Sequence, residues 1–279
     1  MATGWIERMR ERCRRGPLVT VVGLSGVIGR AGMGRQGLTL DGLDAAIEKA
    51  FKPGKLAAVA LAINSPGGSP VQSALIARRI RALADEKNVP VLAFCEDVAA
   101  SGGYWLALAG DEIHADAASI VGSIGVIYGG FGFTGLLEKA GVERRVHTAG
   151  NRKMMLDPFA PEKRDDVRHL KTLQDDIHRE FCAWVRERRG DRLRGDERDL
   201  FSGAFWTGNQ ALELGLVDRL GGLHDVLRAR FGKTVRIKRV NAGGGGLVRR
   251  LLGLGARPDL AERIVGAVED RLYWNRFGL

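Results

Sequence analysis

Ser101 stands between Ala100 and the pair Gly102–Gly103, a setting that suits a nucleophile. Small neighbours let a substrate backbone come close. Where a helix starts after such a serine, its first N–H groups are unpaired and can hold a developing oxyanion. A second glycine turn, Asn64-Ser65-Pro66-Gly67-Gly68-Ser69-Pro70, can supply another free N–H from Gly67 or Gly68. It lacks the Lys-Ser/Thr pair of a P-loop and the spacing of a dinucleotide fingerprint. Two glycine turns on neighbouring strands fit a two-sided oxyanion hole better.

A serine nucleophile needs a base. The histidines are His114, His147, His169, His178 and His224. His169 and His178 fall on the polar side of a long helix and read as solvated. His114 falls inside a strand and reads as structural. His147 is near the candidate region, so a Ser–His pairing stays open. Lys153 is the alternative, followed directly by Met154 and Met155. A lysine acts as a base only when neutral, which requires the ordinary value of about 10.4 to fall to roughly 7–8. Burial beside apolar groups can impose such a fall.

The elements that must position these groups follow from hydrophobic patterning. Leu18–Val22, Leu56–Ile63 and Val89–Phe94 are continuous apolar runs, the pattern of parallel strands covered on both faces. Leu40–Phe51 has helical spacing and ends at Pro53–Gly54, and the stretch after Pro70 places Val71, Leu75, Ile76, Ile80 and Leu83 on one helical face. A helix opens at Tyr104, Glu112–Ala115 reads as a short strand, and Val121–Tyr128 reads as another. Strand and helix alternate, so the chain predicts βαβ units, a parallel sheet and right-handed crossovers. Both glycine turns lie at strand ends, where such sheets place their sites. Downstream, a helix opening at Pro161 predicts one buried face of Val167, Leu170, Leu173, Ile177, Phe181 and Val185. Thr207 is placed to cap a helix over Gly208–Leu214, and Leu216–Val217 and Val235–Val240 read as strands. Gly243–Gly246 reads as a linker before an amphipathic C-terminal helix.

The chain has 279 residues, 45% hydrophobic and 27% charged, which suits a globular protein and excludes wholesale disorder. The net charge of +10 has a local source: eight Lys or Arg and no acid lie between Arg228 and Arg250. Such a run is either a solvated face or attraction to an anionic surface. No nucleic-acid motif accompanies it, so a peripheral contact with anionic membrane is the expectation and nucleic acid is not. Cys13, Cys95 and Cys182 have no metal or disulfide spacing, and Cys95 reads as a small buried hydrophobe. The first 15 residues carry five Arg and no apolar run long enough for a signal peptide or anchor. A cytoplasmic or peripherally membrane-associated location is expected.

Three motifs in order, Leu61-Ala-Ile-Asn-Ser-Pro-Gly-Gly-Ser69, Ala99-Ala-Ser-Gly-Gly-Tyr-Trp105 and Val121-Gly-Ser-Ile-Gly-Val126, resemble the signal peptide peptidase A family, the S49 serine peptidases. Trp206-Thr-Gly-Asn-Gln-Ala-Leu-Glu-Leu-Gly-Leu-Val-Asp-Arg-Leu-Gly-Gly222 is similar to that family too. The resemblance implies an α/β, Clp/crotonase-like fold with a mostly parallel sheet flanked by helices. It covers roughly Leu18 to Phe231, and the chain is read as a basic segment 1–17, a peptidase domain 18–240, and a linker with terminal helix 241–279. The resemblance implies a Ser–Lys dyad of Ser101 and Lys153, oxyanion donors at the N–H groups of Gly68 and Gly102, and Ser123 as the hydroxyl orienting the lysine. No metal and no cofactor are implied. Peptide substrates and a homo-oligomer, whose sites can draw on neighbouring subunits, are.

Two other readings remain. An acyl-CoA enzyme of the crotonase superfold would use the glycine N–H groups for an enolate and need an acidic base, for which Glu96 and Asp97 are close in sequence. A non-catalytic membrane-associated scaffold would use the fold alone.

Overall fold

The computed structural model describes residues 16–29, 37–240, 271 and 273–278. The basic N-terminal segment, the glycine linker and almost all of the expected C-terminal helix therefore lie outside the described residues.

Among these residues the core is an eight-stranded sheet. The strands are β1 (Leu18–Ser25), β2 (Leu56–Ser65), β3 (Val91–Ala100), β4 (Glu112–Ala115), β5 (Ile120–Gly122), β6 (Phe205–Thr207), β7 (Arg219–Leu220) and β8 (Arg236–Val240). The order β6-β5-β3-β2-β1-β8 forms the main path, with β4 beside the first half of β3 and β7 beyond it. All pairs are parallel except β5 with β6.

Strand β2 shows why the sheet carries a layer on each face. Val59, Leu61 and Ile63 join the cluster beneath the helices α1 (Leu40–Phe51), α2 (Pro70–Lys87), α3 (Gly102–Ala107) and α5 (Arg164–Arg189). The intervening Ala58, Ala60 and Ala62 face α8 (Leu223–Phe231), whose Leu223 and Leu227 cover them. Branched residues on one face and alanines on the other let a single short helix close the second face. Burial on this scale contributes roughly 25 cal/mol per Å² of apolar surface.

The helices end as their caps dictate. Thr39 accepts from Gly42 N at the start of α1, and Pro70 opens α2 behind Ser69, which accepts from Gln72 N. Thr207 and Gln210 form a capping box at α7 (Gly208–Glu213). The remaining helices are α4 (Thr134–Ala140) and α6 (Glu197–Leu200).

Three expectations are corrected. The run Val121–Tyr128 is not one strand: β5 stops at Gly122, because Gly122 (φ +104°) and Ser123 (φ +53°) turn the chain away. The face of α5 is buried only in its C-terminal half, at Phe181, Cys182 and Val185, while Leu173 and Ile177 are exposed. The strand near Leu216–Val217 falls instead at Arg219–Leu220, since Tyr104 Oη takes the Leu216 carbonyl at 2.7 Å.

Candidate active site

Ser101 sits where β3 meets α3, at φ 53° and ψ −122°. A non-glycine residue rarely adopts such a backbone, which costs on the order of 1–3 kcal/mol and persists only where the surroundings enforce it. The surroundings are visible. Ser101 N donates to Gly122 O at 2.7 Å, and Ser101 O accepts from Trp105 N at 3.0 Å. Trp206 on β6 lies over Gly122, where an added Cβ would come 2.6 Å from its ring. The motif around Trp206 thus braces the strand that holds the serine.

The other glycine turn presses directly on this elbow. A Cβ on Gly67 (φ +104°) would come 2.8 Å from Ser101 Cβ and 2.9 Å from Gly102 N. A Cβ on Gly103 would fall 2.4 Å from Ser65 O. Ser65 Oγ accepts from Gly67 N at 3.2 Å, which fixes the turn from inside. Ile28 N donates to Gly67 O at 2.8 Å, and Ser69 N donates to Ile28 O at 2.8 Å, so the N–H of the intervening Gly68 points to the other side. Neither Gly68 N nor Gly102 N donates to an acceptor among the described residues.

A bulge sets where β3 ends. Ile63 pairs with Cys95 and Ser65 with Ala99, so β3 advances four residues while β2 advances two. Asn64 bridges the bulge: its Nδ2 donates to Asp97 Oδ2 at 2.7 Å and its Oδ1 accepts from Val98 N at 3.3 Å. Ser119 Oγ holds the other side, donating to Glu96 O at 2.6 Å. Asp97 is thereby engaged in holding the strand, which counts against it as the free acidic base of an acyl-CoA enzyme.

Ser123 is 4% exposed and takes φ 53°, with its N–H donating to Ala204 O at 2.7 Å. Neither its hydroxyl nor that of Ser101 makes a hydrogen bond to a described residue. The structure thus brings Ser101, Gly68, Gly102 and Ser123 together through β2, β3 and β5. Lys153 is exposed, in the turns between Asn151 and Leu156, and no hydrogen bond joins it to Ser101 or Ser123 among the described residues. His147 is exposed. His178 is not solvated as expected: half-buried, its Nε2 lies 3.2 Å from Ile124 O, one residue beyond Ser123. Helical spacing alone gave no signal for this contact, which depends on where the chain turns after β5.

Cys95 is buried behind the site, and burial pushes its thiol up to about 12, so it is inert as a nucleophile. Beneath α3, Arg189 donates to both carboxylate oxygens of Asp218, at 2.8 and 3.0 Å, and to Gly215 O at 2.8 Å. Burial pushes the Asp218 carboxyl up, but the bonds from Arg189 and from Ile113 N outweigh it and hold the carboxyl below its ordinary value. Among the described residues, no group of three or more His, Cys, Asp or Glu is arranged to hold a metal ion.

A strained serine at a strand-to-helix turn, faced by a second glycine turn on a parallel sheet, defines an α/β enzyme of the Clp/crotonase kind. The model of peptidase family S49 matches residues 84–235, and the chain belongs to that family of serine peptidases. Ser101, Gly102, Ser123 and Lys153 lie inside the matched span, whereas Gly68 precedes it. The chain is 49% identical over 272 residues to a Brucella abortus protein named Na(+)/H(+) antiporter NhaA, covering 94% of this chain and 37% of that one. It is 34% identical over 173 residues to the Arabidopsis thaliana serine protease SPPA, chloroplastic, covering 61% of this chain and 25% of that one. The chain thus spans well under half the length of these relatives. Among solved structures, a lysine-to-alanine mutant of the 1510-N membrane-bound stomatin-specific protease, in complex with a substrate peptide, shares the fold. Its TM-score is 0.53 at 15% identity, over 91% of this chain and 99% of that one.

Proposed function

We propose that the chain is a serine endopeptidase working through a Ser101–Lys153 dyad. The observation that carries the reading is Ser101, held at φ 53° beside the N–H groups of Gly68 and Gly102, which have no acceptor among the described residues. Neutral Lys153 takes the Ser101 proton as Oγ attacks a peptide carbonyl. The Gly68 and Gly102 N–H groups hold the tetrahedral oxyanion. Lys153 Nζ then protonates the leaving amine and, neutral again, takes a proton from the water that attacks the acyl-enzyme; it returns that proton to Ser101 Oγ as the ester bond breaks and the acid product leaves. Ser123 accepts a hydrogen bond from the lysine and keeps it in line.

Lys153 is exposed rather than buried beside apolar groups, so the dyad requires the lysine to be delivered on assembly or substrate binding, by its own chain or by a second copy. The surrounding segment supports a homo-oligomer, since Ile127 (71% exposed), Phe131 (74%) and Leu136 (62%) present apolar surface that a partner copy would cover. The substrates are signal-peptide remnants or other membrane-derived or unfolded peptides, whose extended backbone can lie along the glycine turns. Within the described part of the basic tract, Arg236, Lys238 and Arg239 on β8 are exposed and suit peripheral contact with anionic membrane. Among the described residues, no helix is long and apolar enough to cross a membrane.

The test is covalent labelling by a fluorophosphonate probe together with peptide turnover. Labelling lost in Ser101→Ala and turnover lost in Lys153→Ala are expected, with Ser123→Ala reduced but folded. Turnover retained in Lys153→Ala would overturn the dyad, and turnover retained in Ser101→Ala would overturn the peptidase site. Lipid binding without any labelling would favour the scaffold. Mixing Ser101→Ala with Lys153→Ala chains restores activity only if the lysine crosses between copies.

A further inference from the structure

His114 carries an unresolved polar demand. It lies in β4, 1% exposed, with its ring stacked on Phe94 of β3 at 5.0 Å. Neither Nδ1 nor Nε2 has a hydrogen-bond partner, and these are the buried side-chain polar atoms left unpaired among the described residues. A neutral imidazole offers one donor and one acceptor. Leaving such groups buried and unpaired costs on the order of 1–3 kcal/mol each, which native proteins avoid unless a water, ion or ligand fills the place.

The place is there. An open pocket of about 530 Å³ lies between β4, β7 and α8, lined by Glu112, His114, Arg219, Leu220, Val226 and Arg230 among others. His114 lines it, with Nε2 3.5 Å from Glu112 Oε2 and both ring nitrogens buried behind the pocket wall. A single water occupies roughly 30 Å³, so the pocket holds much more than one. Its walls carry two guanidinium groups against one carboxylate. Arg230 is paired with Glu112 at 2.5 Å, while Arg219 makes no ion pair among the described residues. Its neighbour Asp218 is already taken by Arg189.

We propose that this pocket binds a small oxyanion, a carboxylate or a phosphate, held by Arg219 and Arg230 with His114 donating a hydrogen bond to it. Guanidinium forks match both groups in planar, bidentate fashion. His114 adds a proton link. Burial lowers its ordinary value, against Glu112 of β4 and Asp218 ahead of β7, while Arg219 and Arg230 lower it further. An anion arriving beside it favours the imidazolium, so affinity rises as pH falls. The pocket is independent of Ser101 and of the peptidase reading.

The test uses the full chain carrying Ser101→Ala, so that no probe is consumed. Calorimetry with acetate, inorganic phosphate, and a short peptide with free or amidated C-terminus reads affinity, and nitrogen-15 NMR reads the His114 ring. Saturable one-to-one binding is expected, weakened at least tenfold by Arg219→Gln and tightened by Glu112→Gln. For acetate it should tighten several-fold from pH 8 to pH 6, and His114→Gln should abolish that pH dependence. Preference for phosphate, or for the free over the amidated peptide, identifies the source of the anion. No saturable binding, or binding indifferent to Arg219→Gln, overturns the proposal and leaves ordered water as the partner of His114.

Discussion

Around Ser101 the chain is held from neighbouring strands and turns: Gly122 takes its N–H, Gly67 lies against its Cβ, and Asn64 and Ser119 pin the bulge before it. Around Lys153 the opposite holds. From Val126 to Asp157 the chain buries no side chain, and α4 contributes nothing to the core. The proposed nucleophile is positioned by the hydrophobic core of one chain, whereas the proposed base is carried on a segment with exposed apolar side chains. The strained backbone of Ser101 persists because its neighbours in the first region cannot yield. The second can change partners at little cost to the fold.

Replacing the serine breaks this contrast most sharply. Ser101→Ala should lower peptide turnover by about 10³-fold or more with the fold intact by circular dichroism. Ser101→Gly should lose turnover equally yet gain about 1 kcal/mol in denaturant titration, because glycine adopts φ 53° without the same penalty. Next in size, Arg189→Ala strands the Asp218 carboxylate under the site and should cost about 3–5 kcal/mol. The same pair gives a pH signature. The Asp218 carboxyl is depressed in the folded chain, so its contribution is present above the unfolded value near 3.9 and is lost as pH falls through the folded value. Thermal melts should therefore drop in the wild type below about pH 4, and Asp218→Asn should flatten that drop. Smaller again, Gly67→Ala should cut turnover by about 10–10²-fold by shifting the elbow, read as kcat in a peptide assay. Smallest of all, Phe131→Ser with Leu136→Ser should move the monomer's unfolding free energy by no more than about 0.5 kcal/mol. Sedimentation of that variant should show loss of any assembly; unchanged assembly would separate the exposed segment from subunit contact.

Much of the first region was legible in the sequence. Continuous apolar runs gave β1, β2 and β3, and the glycine turns at the ends of β2 and β3 set Gly67–Gly68 and Ser101–Gly103 on neighbouring strands; the choice of Gly68 over Gly67 as a donor rests on the family resemblance. What was hidden depends on neighbours distant in the chain. The bulge in β3 comes from Asn64 and Ser119 reaching across strands, which apolar periodicity does not encode. The early stop of β5 follows from Ser123 adopting a positive φ, a choice that residue type alone does not signal. The helical pattern in α5 was right, but periodicity tells which face is apolar, not whether anything lies against it. Leu173 and Ile177 share that face with Phe181 and Val185, yet only the latter pair meets the core. His178 and His114 likewise read as ordinary residues until their neighbours were known.

The brace over Gly122 has a consequence for how the protein is made. Chains emerge from the ribosome N-terminus first, and Trp206 follows the serine only after the exposed segment and the long helix have been synthesised. Until β6 pairs with β5, the carbonyl that fixes the Ser101 N–H belongs to an unsupported edge. A nascent chain thus carries Ser101 in unfinished form until Trp206 has been made and β6 has joined the sheet.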